Sequence, residues 1–300
     1  MKENDILITG SNGMVGEELK KILPNAINIT HKDFDLTSEN EVKYMFYQHQ
    51  PKIIVHLAAK VGGVMDNIKN PADYFDENIL MNTLLLKHSR LNNVNRFIGI
   101  LSSCIFPDVV DTYPMSEDEL HKGPPTETNF SYGYAKRSMA VQIDAYNKQY
   151  GTKYNYLIPC NMYGEYDKTD VVKSHFIAAL IIKIKDAVKN NKDYITLYGD
   201  GSPLRQFMYA GDLANIIKYI IDNDIYENLN IATEDVLSIH EMAKIALKTT
   251  NNDHIKINYD TTKPNGQYRK DISIDKLKKI IPNYNFVKSE DGIKKIYDKL

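Results

Sequence analysis

The chain reads as an α/β protein: a parallel sheet wound on both faces by helices, followed by a smaller mixed α/β region. Three observations carry that reading. Apolar, β-rich runs alternate with longer amphipathic stretches over the first half, the rhythm of right-handed βαβ units. One of these runs, "KIIVHLAA", is almost continuously apolar, as a strand buried on both faces requires. Beyond about Asp167 the rhythm gives way to shorter elements, which marks the second region.

In order, "DILITG" is a strand, Met14 to Leu23 a helix and "AINIT" a second strand. A helix from about Glu39 to His49 follows, opened by the cap-like "DLTSENE". After "KIIVHLAA" come a long helical region from about Ala72 to Asn92, the strand "RFIGILSS", a helix holding Lys136, and the strand "YNYLIPCNMYG". The second region contributes a Lys-rich helix near Phe176 to Lys189, then "YITLYGDG" and short elements. No repeat or low-complexity linker separates the two, so interleaved domains are expected: 1–167 with 208–231, and 168–207 with 232–300.

Composition narrows the function classes. With 300 residues, 43% hydrophobic and 25% charged, the chain is an ordinary globular protein with length for a sizeable core. A net charge of -2 and a pI near 6.5 leave no electrostatic footprint for nucleic acid. No apolar run approaches the ~18 residues of a membrane span, and no leader-like segment stands before the first strand. Two cysteines, Cys104 and Cys160, make a disulfide framework improbable and fit a reducing compartment. The expectation is a cytoplasmic protein without a metal site.

The first turn carries the chemistry. "LITGSNGMVGEEL" sets Gly10, Gly13 and Gly16 between the first strand and first helix, with Asn12, Met14 and Val15 among them. Glycines permit a tight turn and close backbone approach, and the helix N-terminus offers free N–H groups to a pyrophosphate. A strand before the loop and a helix after it are the context that makes this a Rossmann dinucleotide site. After the second strand stand His31 and Lys32, which favour the 2′-phosphate of NADP. Asp33 and Asp35 follow, so an acidic contact to a ribose stays open; the bland alternative for His31 and Lys32 is a solvated turn.

In "NFSYGYAKRSMAVQIDAYNKQYG", two tyrosines precede Lys136. Residues four apart share a helix face and residues two apart do not. Tyr132, not Tyr134, can therefore lie beside the Lys136 ammonium, which would stabilise its phenolate. With 21 tyrosines in the chain, that spacing also arises by chance.

Together, "TGSNGMVG", "HLAA", "LSSC" and Tyr132-x-x-x-Lys136 resemble the extended short-chain dehydrogenase/reductases, nucleotide-sugar enzymes with a Rossmann domain and a C-terminal substrate domain. The nearer likeness is to the GDP-L-fucose synthases, which are GDP-4-keto-6-deoxymannose epimerase/reductases. The strings "AAKVGGV", "NPADYF", "SSCIFP", "SYGYAK", "NKQYG", "NMYG", "SHFIAAL", "YGDGSPLRQF" and "TKPNGQYRK" carry it across nearly the whole chain.

The resemblance implies an NADPH-dependent C4 ketoreductase of a GDP-4-keto sugar for surface polysaccharide, with or without C3/C5 epimerisation. It makes Tyr132 the acid at the carbonyl oxygen and Ser102 a second donor there. Lys136 lowers the Tyr132 pKa and holds the nicotinamide ribose. Cys104 and His175 exchange protons at C3 and C5, and their bland alternatives are a buried thiol and a helix-start histidine. Ala58, Ala59, Lys60 and His175 join the cofactor contacts. Ser103, Asn161, Lys183, Tyr198, Arg205 and Lys263 face the substrate, with Arg205 clamping the diphosphate. The long helix near Ala72 to Asn92 and the one bearing Lys136 imply a homodimer.

Two departures stand out: the loop from Gly164 to His175 lacks the family's usual content, and Lys183 replaces an arginine. A lysine loses bidentate geometry, which admits a different sugar such as a GDP-4-keto-heptose. Two other readings compete. An NAD-holding 4,6-dehydratase or 4-epimerase is one, though "SSCIFP" lacks the Asp-Glu pair of dehydratases. A catalytically silent, NADPH-sensing Rossmann protein is the other.

Overall fold

The computed structural model of the protein describes residues 2–170 and 174–300. Its strands in chain order are β1 (Ile6–Thr9), β2 (Ile27–Ile29), β3 (Ile53–His56), β4 (Arg96–Ile100), β5 (Asn155–Pro159), β6 (Asn161–Tyr163), β7 (Tyr194–Tyr198), β8 (Leu204–Arg205), β9 (Phe207–Tyr209), β10 (Leu229–Ile231), β11 (Leu237–Ser238) and β12 (Lys256–Asp260). The helices are α1 (Met14–Ile22), α2 (Glu39–His49), α3 (Val64–Lys69), α4 (Pro71–Leu91), α5 (Phe130–Tyr150), α6 (Phe176–Lys189), α7 (Ala210–Asp222), α8 (Ile239–Thr249), α9 (Asp275–Ile280) and α10 (Ser289–Lys299).

A six-stranded sheet in the order β10-β5-β4-β3-β1-β2 forms the centre, parallel throughout. β1, β3, β4 and β5 are buried at every position, because helices cover both faces. β2 lies on one side of β1 and β3 on the other, so the winding reverses there and a crevice opens at the carboxyl ends of these strands. The expected doubly wound Rossmann sheet is what the chain forms.

Local departures have local reasons. The stretch read as one strand, "YNYLIPCNMYG", breaks at Cys160 into β5, which stays in the main sheet, and β6, which leaves it to pair with β9. "RFIGILSS" ends as a strand at Ile100. Among the shorter elements lies α7, a full amphipathic helix that returns the chain to the main sheet at β10.

Apolar burial gathers in two clusters. The larger surrounds the main sheet and also takes in Ile272, Ile274, Leu277 and Ile281 from late in the chain. The smaller joins α6, α8 and α10 to Ile195 and Leu197 of β7 and Phe207 and Tyr209 of β9. β7 alternates exposed and buried residues, the period-two pattern of a sheet covered on one face, so Tyr194, Thr196 and Tyr198 stay open. Among the described residues no helix is long and apolar enough to cross a membrane.

Candidate active site

β1 hands the chain to Gly10, whose φ of 67° favours glycine. A Cβ there would stand 2.8 Å from the Ala58 backbone, and one at Gly16 2.6 Å from the Gly10 carbonyl. Glycine thus lets the loop after β1 lie against the loop after β3. Gly13 caps α1, and Glu17 donates the first helical bond to its carbonyl at 2.9 Å. The amides of Met14, Val15 and Gly16 therefore belong to the unpaired first turn, with Asn12 and Gly13 exposed beside them. That bare cradle at a positive helix end fits a dinucleotide pyrophosphate.

A buried relay ties the cradle to α5. The Ala58 amide donates to Thr9 Oγ1 (3.3 Å), the Thr9 hydroxyl to His56 Nδ1 (2.8 Å), His56 Nε2 to Asn82 Oδ1 (3.0 Å), and Asn82 Nδ2 to the Ala135 carbonyl (3.2 Å). Burial, aided by the Lys136 charge, pushes His56 down to about 3. It is neutral, and the amide oxygen of Asn82 sets its tautomer.

Beyond β2, Asp33 accepts from the Thr30 hydroxyl (2.6 Å) and amide (2.8 Å), and Asp35 from the Thr37 hydroxyl (2.7 Å) and amide (2.9 Å). These bonds hold both carboxyls below their usual range. His31 and Lys32 are exposed and form no ion pair among the described residues, so the positive groups are the available ones at this edge. Lys60 bonds Glu77 at 2.5 Å with Asp73 at 3.7 Å, which turns its ammonium towards α4.

α5 grips the turn after β4 at three points. Lys136 Nζ donates to the Ile100 carbonyl at 2.9 Å. Arg137 donates from Nε to the Ile105 carbonyl (2.8 Å) and from Nη1 to the Gly123 carbonyl (2.7 Å). Gly133 comes so close that a Cβ would stand 2.9 Å from the Cys104 carbonyl. The turn itself is a 3-10 helix, Ser103–Ile105, capped by Ser102, whose hydroxyl accepts from the Cys104 amide at 3.3 Å. Cys104 and Ser102 thus come together through this turn and not through strand alternation. Ser103 is buried.

The expected coupling within the helical pair is not what the structure shows. Burial and the neighbouring Cys104 charge push the Tyr132 phenol up, while a Ser102 hydrogen bond opposes them. Lys136 has its ammonium on Ile100, and burial brings it down to about 7. The reason is depth: at 2% exposure the lysine is held by the end of β4. Tyr74 packs edge-on to Tyr132, ring centroids 6.3 Å apart, and Tyr134 packs on Phe130 at 4.7 Å.

Cys104 is the electrostatic hub. Lys270 Nζ donates to its sulfur at 2.6 Å. Burial raises the thiol, yet Lys270, Ser102 and Arg205 together outweigh it and the net shift is downward. His175 and Tyr132 both feel the Cys104 charge, so these groups share one cleft. His175 caps α6 without a side-chain capping bond; its Nδ1 lies 3.0 Å from both Asp167 carboxylate oxygens, and its amide donates to Asp167 Oδ2 at 3.1 Å. Desolvation in the cleft works against the imidazolium, and Asp167 outweighs it to push His175 up. The base candidate is thus biased towards its anion and the acid candidate towards its cation.

Arg205 donates to the carbonyls of Leu204 (2.7 Å), Gln267 (2.5 Å) and Tyr268 (3.3 Å), and burial lowers it. Lys183 donates to the Thr196 carbonyl at 2.7 Å and sits 4.9 Å from the Tyr198 ring centroid. Lys263 lies in the turn after β12, its amide donating to the Asp260 carbonyl at 3.2 Å; Asp260 pairs with Tyr198 across β12 and β7. Asn161 donates to the Gln206 carbonyl at 3.2 Å. In the loop from Gly164, the residues 171–173 lie outside the described ones. Two surface cavities of about 510 and 660 Å³ include none of Ser102, Cys104, Tyr132, Lys136 and His175. No group of metal-binding side chains forms among the described residues.

Sequence reading missed Lys270, Asp167, Arg137 and Gly133. Gly133 and Arg137 flank Lys136 on a helix already singled out; Lys270 closes the string "TKPNGQYRK" and Asp167 lies in the loop from Gly164, but neither carried a sign of its partner.

Comparisons with known proteins place the chain in a family. Residues 6–232 match the model of the NAD dependent epimerase/dehydratase family. A GDP-L-fucose synthase of Dictyostelium discoideum is 37% identical over 96% of this chain and 92% of its own. A GDP-L-colitose synthase of Yersinia pseudotuberculosis is 35% identical over 88% of each chain. The crystal structure of a GDP-L-fucose synthetase from Naegleria fowleri bound to NADP superposes with a TM-score of 0.87 at 30% identity, covering 98% of this chain and 91% of that one. The chain belongs to the NAD dependent epimerase/dehydratase family and, within it, groups with the GDP-L-fucose synthases.

Proposed function

We propose that this protein is an NADPH-dependent oxidoreductase that epimerises a GDP-linked 4-keto-6-deoxyhexose beside its ketone and then reduces the ketone at C4. The observation that carries the reading is the opposite bias of two groups in one cleft: Cys104 lowered beside Lys270, and His175 raised beside Asp167. Hydride transfer to C4 calls only for a donor at the oxygen, so the pair is free to act at the carbons beside it.

The chemistry follows from where charge moves. Hydrogens on carbons adjacent to a ketone are acidic because the resulting carbanion delocalises onto oxygen. Cys104 as thiolate removes such a proton, and His175 as imidazolium delivers one to the opposite face, inverting the carbon. Tyr132 and Ser102 donate hydrogen bonds to the oxygen on which charge gathers. Bound NADPH supplies the hydride for C4. Tyr132 gives its proton to the oxygen as the alcohol forms, and burial keeps that phenol protonated until then. Gly10, Asn12, Gly13, Met14 and Val15 would hold the pyrophosphate, with His31 and Lys32 at the 2′-phosphate. Arg205, Lys183 and Tyr198 face the GDP moiety, where Arg205 suits a diphosphate. The reading extends to a cytoplasmic homodimer built on α4 and α5, checked by light scattering at micromolar concentration.

Incubation with NADPH in heavy water, using GDP-4-keto-6-deoxymannose and in parallel GDP-4-keto-heptose, tests it. Deuterium at C3 and C5 of a reduced hexose product is expected. Reduction without deuterium uptake would leave only a C4 reductase, and turnover of the heptose alone would move the substrate to the reading that Lys183 suggests.

A further inference from the structure

The geometry points to Lys270 as the residue that holds Cys104 in its thiolate form, and so makes it the base of the epimerisation; this rests on the epimerase reading above. Lys270 is a positioning residue in that scheme, since it acts through the sulfur.

Four observations carry it. The ammonium nitrogen is in direct contact with the sulfur, 2.6 Å away, and a hydrogen bond from a charged donor is the stronger kind. Lys270 is only 6% exposed, so solvent screens the pair little. The acid nearest in sequence is occupied: Arg269 binds Asp271 through Nε–Oδ1 (2.6 Å) and Nη2–Oδ2 (3.0 Å). The segment bearing Lys270 is also fixed from both sides. Leu204 donates to the Tyr268 carbonyl (2.8 Å), Met115 to the Asp271 carbonyl (2.9 Å), Ser273 to the Met115 carbonyl (2.8 Å), and Ile272 to Gln206 Oε1 (2.9 Å). The backbone beneath Lys270 is thus held in place, and its buried side chain has less freedom to leave the thiol than a surface lysine would.

The other charged or titratable groups around the sulfur are Arg205, whose charge adds to that of Lys270, and Tyr132 and His175 across the cleft. Ser102 contributes a neutral hydrogen bond. Arg205 is engaged by three carbonyls, so among the cations of the described residues only Lys270 touches the sulfur. In the step itself the thiolate takes the carbon-bound proton and becomes a thiol, the electron pair moves to the sugar oxygen, and Lys270 keeps its protons throughout.

Alkylation by iodoacetamide reads the thiolate directly, because only the anion reacts. The modification rate of Cys104 in the full-length protein is followed by peptide mass spectrometry between pH 5 and 10. In the unmodified chain the half-maximal rate is expected well below the ~8.5 of a free thiol. Lys270→Met should slow Cys104 at pH 7 at least tenfold, roughly the loss of one charge-assisted contact, and move the profile upward. Lys270→Arg should keep most of the reactivity. Cys160, buried and pushed up to about 12, stays essentially unmodified over this range, so the reaction followed is that of Cys104. A profile at or above the ordinary thiol range in the unmodified chain, or one that Lys270→Met leaves in place, overturns the assignment. If Lys270→Met does not fold, the unmodified chain and Lys270→Arg still decide. A reactive thiolate without deuterium uptake into the sugar would instead sink the epimerase reading and leave the Lys270 pair standing.

Discussion

Two lysines enter this cleft, and they do different work. Lys136 rises from α5, is buried to 2% and finds a carbonyl, that of Ile100. Lys270 arrives on a braced segment 166 residues from its partner and finds a thiol. Burial without an anion depresses the first; contact between the second and the thiol lowers the thiol instead. A cation's value to a site depends on what it touches, and proximity along a helix does not decide that. Lys270 belongs to the proposed epimerising half of the reaction, while Lys136 ties the helix that carries Tyr132 to the end of β4.

The contrast can be broken most sharply at Tyr132. Tyr132→Phe should lower NADPH-dependent turnover by about 10²–10⁴-fold, the usual reach of a positioned acid, while deuterium uptake at C3 and C5 slows far less; equal losses in both assays would merge the two halves. Cys104→Ser should do the reverse, reducing wash-in by about 10²-fold or more in a nuclear magnetic resonance assay. Reduction of a sugar already carrying the product configuration should fall by a much smaller factor.

A finer probe is Asp167→Asn. Asp167 raises His175, so its removal should shift the His limb of the pH–rate profile to lower pH and cut epimerisation about tenfold at neutral pH. The sign for stability follows from the same shift. The pair contributes below the ordinary histidine value of about 6.5, and the contribution disappears as pH rises through the raised folded value. Thermal melts of the two proteins should therefore converge at alkaline pH. A constant offset at every pH would place the effect in packing.

Cofactor choice is a smaller effect. Lys32→Glu should reduce the kcat/KM preference for NADPH over NADH about fivefold, since the contact is solvent-exposed. An unchanged ratio would return His31 and Lys32 to the role of a solvated turn. Smallest is the thermal signature of Lys136. Its folded value of about 7 lies below 10.5, so the buried charge destabilises the fold below about pH 7, and this fades as pH rises towards 10.5. Lys136→Met should melt a few degrees higher at pH 6, with the difference shrinking by pH 10.

Much of this site was legible because it is local. Gly10, Gly13 and Gly16 stand between a strand and a helix, the context of a phosphate turn, and α2 and α6 carry patterns that set their ends at Glu39, His49, Phe176 and Lys189. Tyr132 and Lys136 were visible as neighbours on a helix, yet in the structure the lysine bonds Ile100 and burial pushes the phenol up. Helical spacing fixes where a side chain starts, and the long lysine stem then follows the nearest unsatisfied acceptor. The pairings of Asp167 and Lys270 left no trace, because their partners come from other elements.

By itself, then, the sequence determined the sheet, the dinucleotide cradle and the identities of the reactive side chains, since periodicity, turn chemistry and short motifs act over a few residues. The tertiary structure alone decided which cation meets which acid: Lys270 on Cys104, Asp167 on His175, Lys136 on Ile100. Charges act through space over a few ångströms, and the chain brings those atoms together only once the sheet, α5 and the late segment have packed.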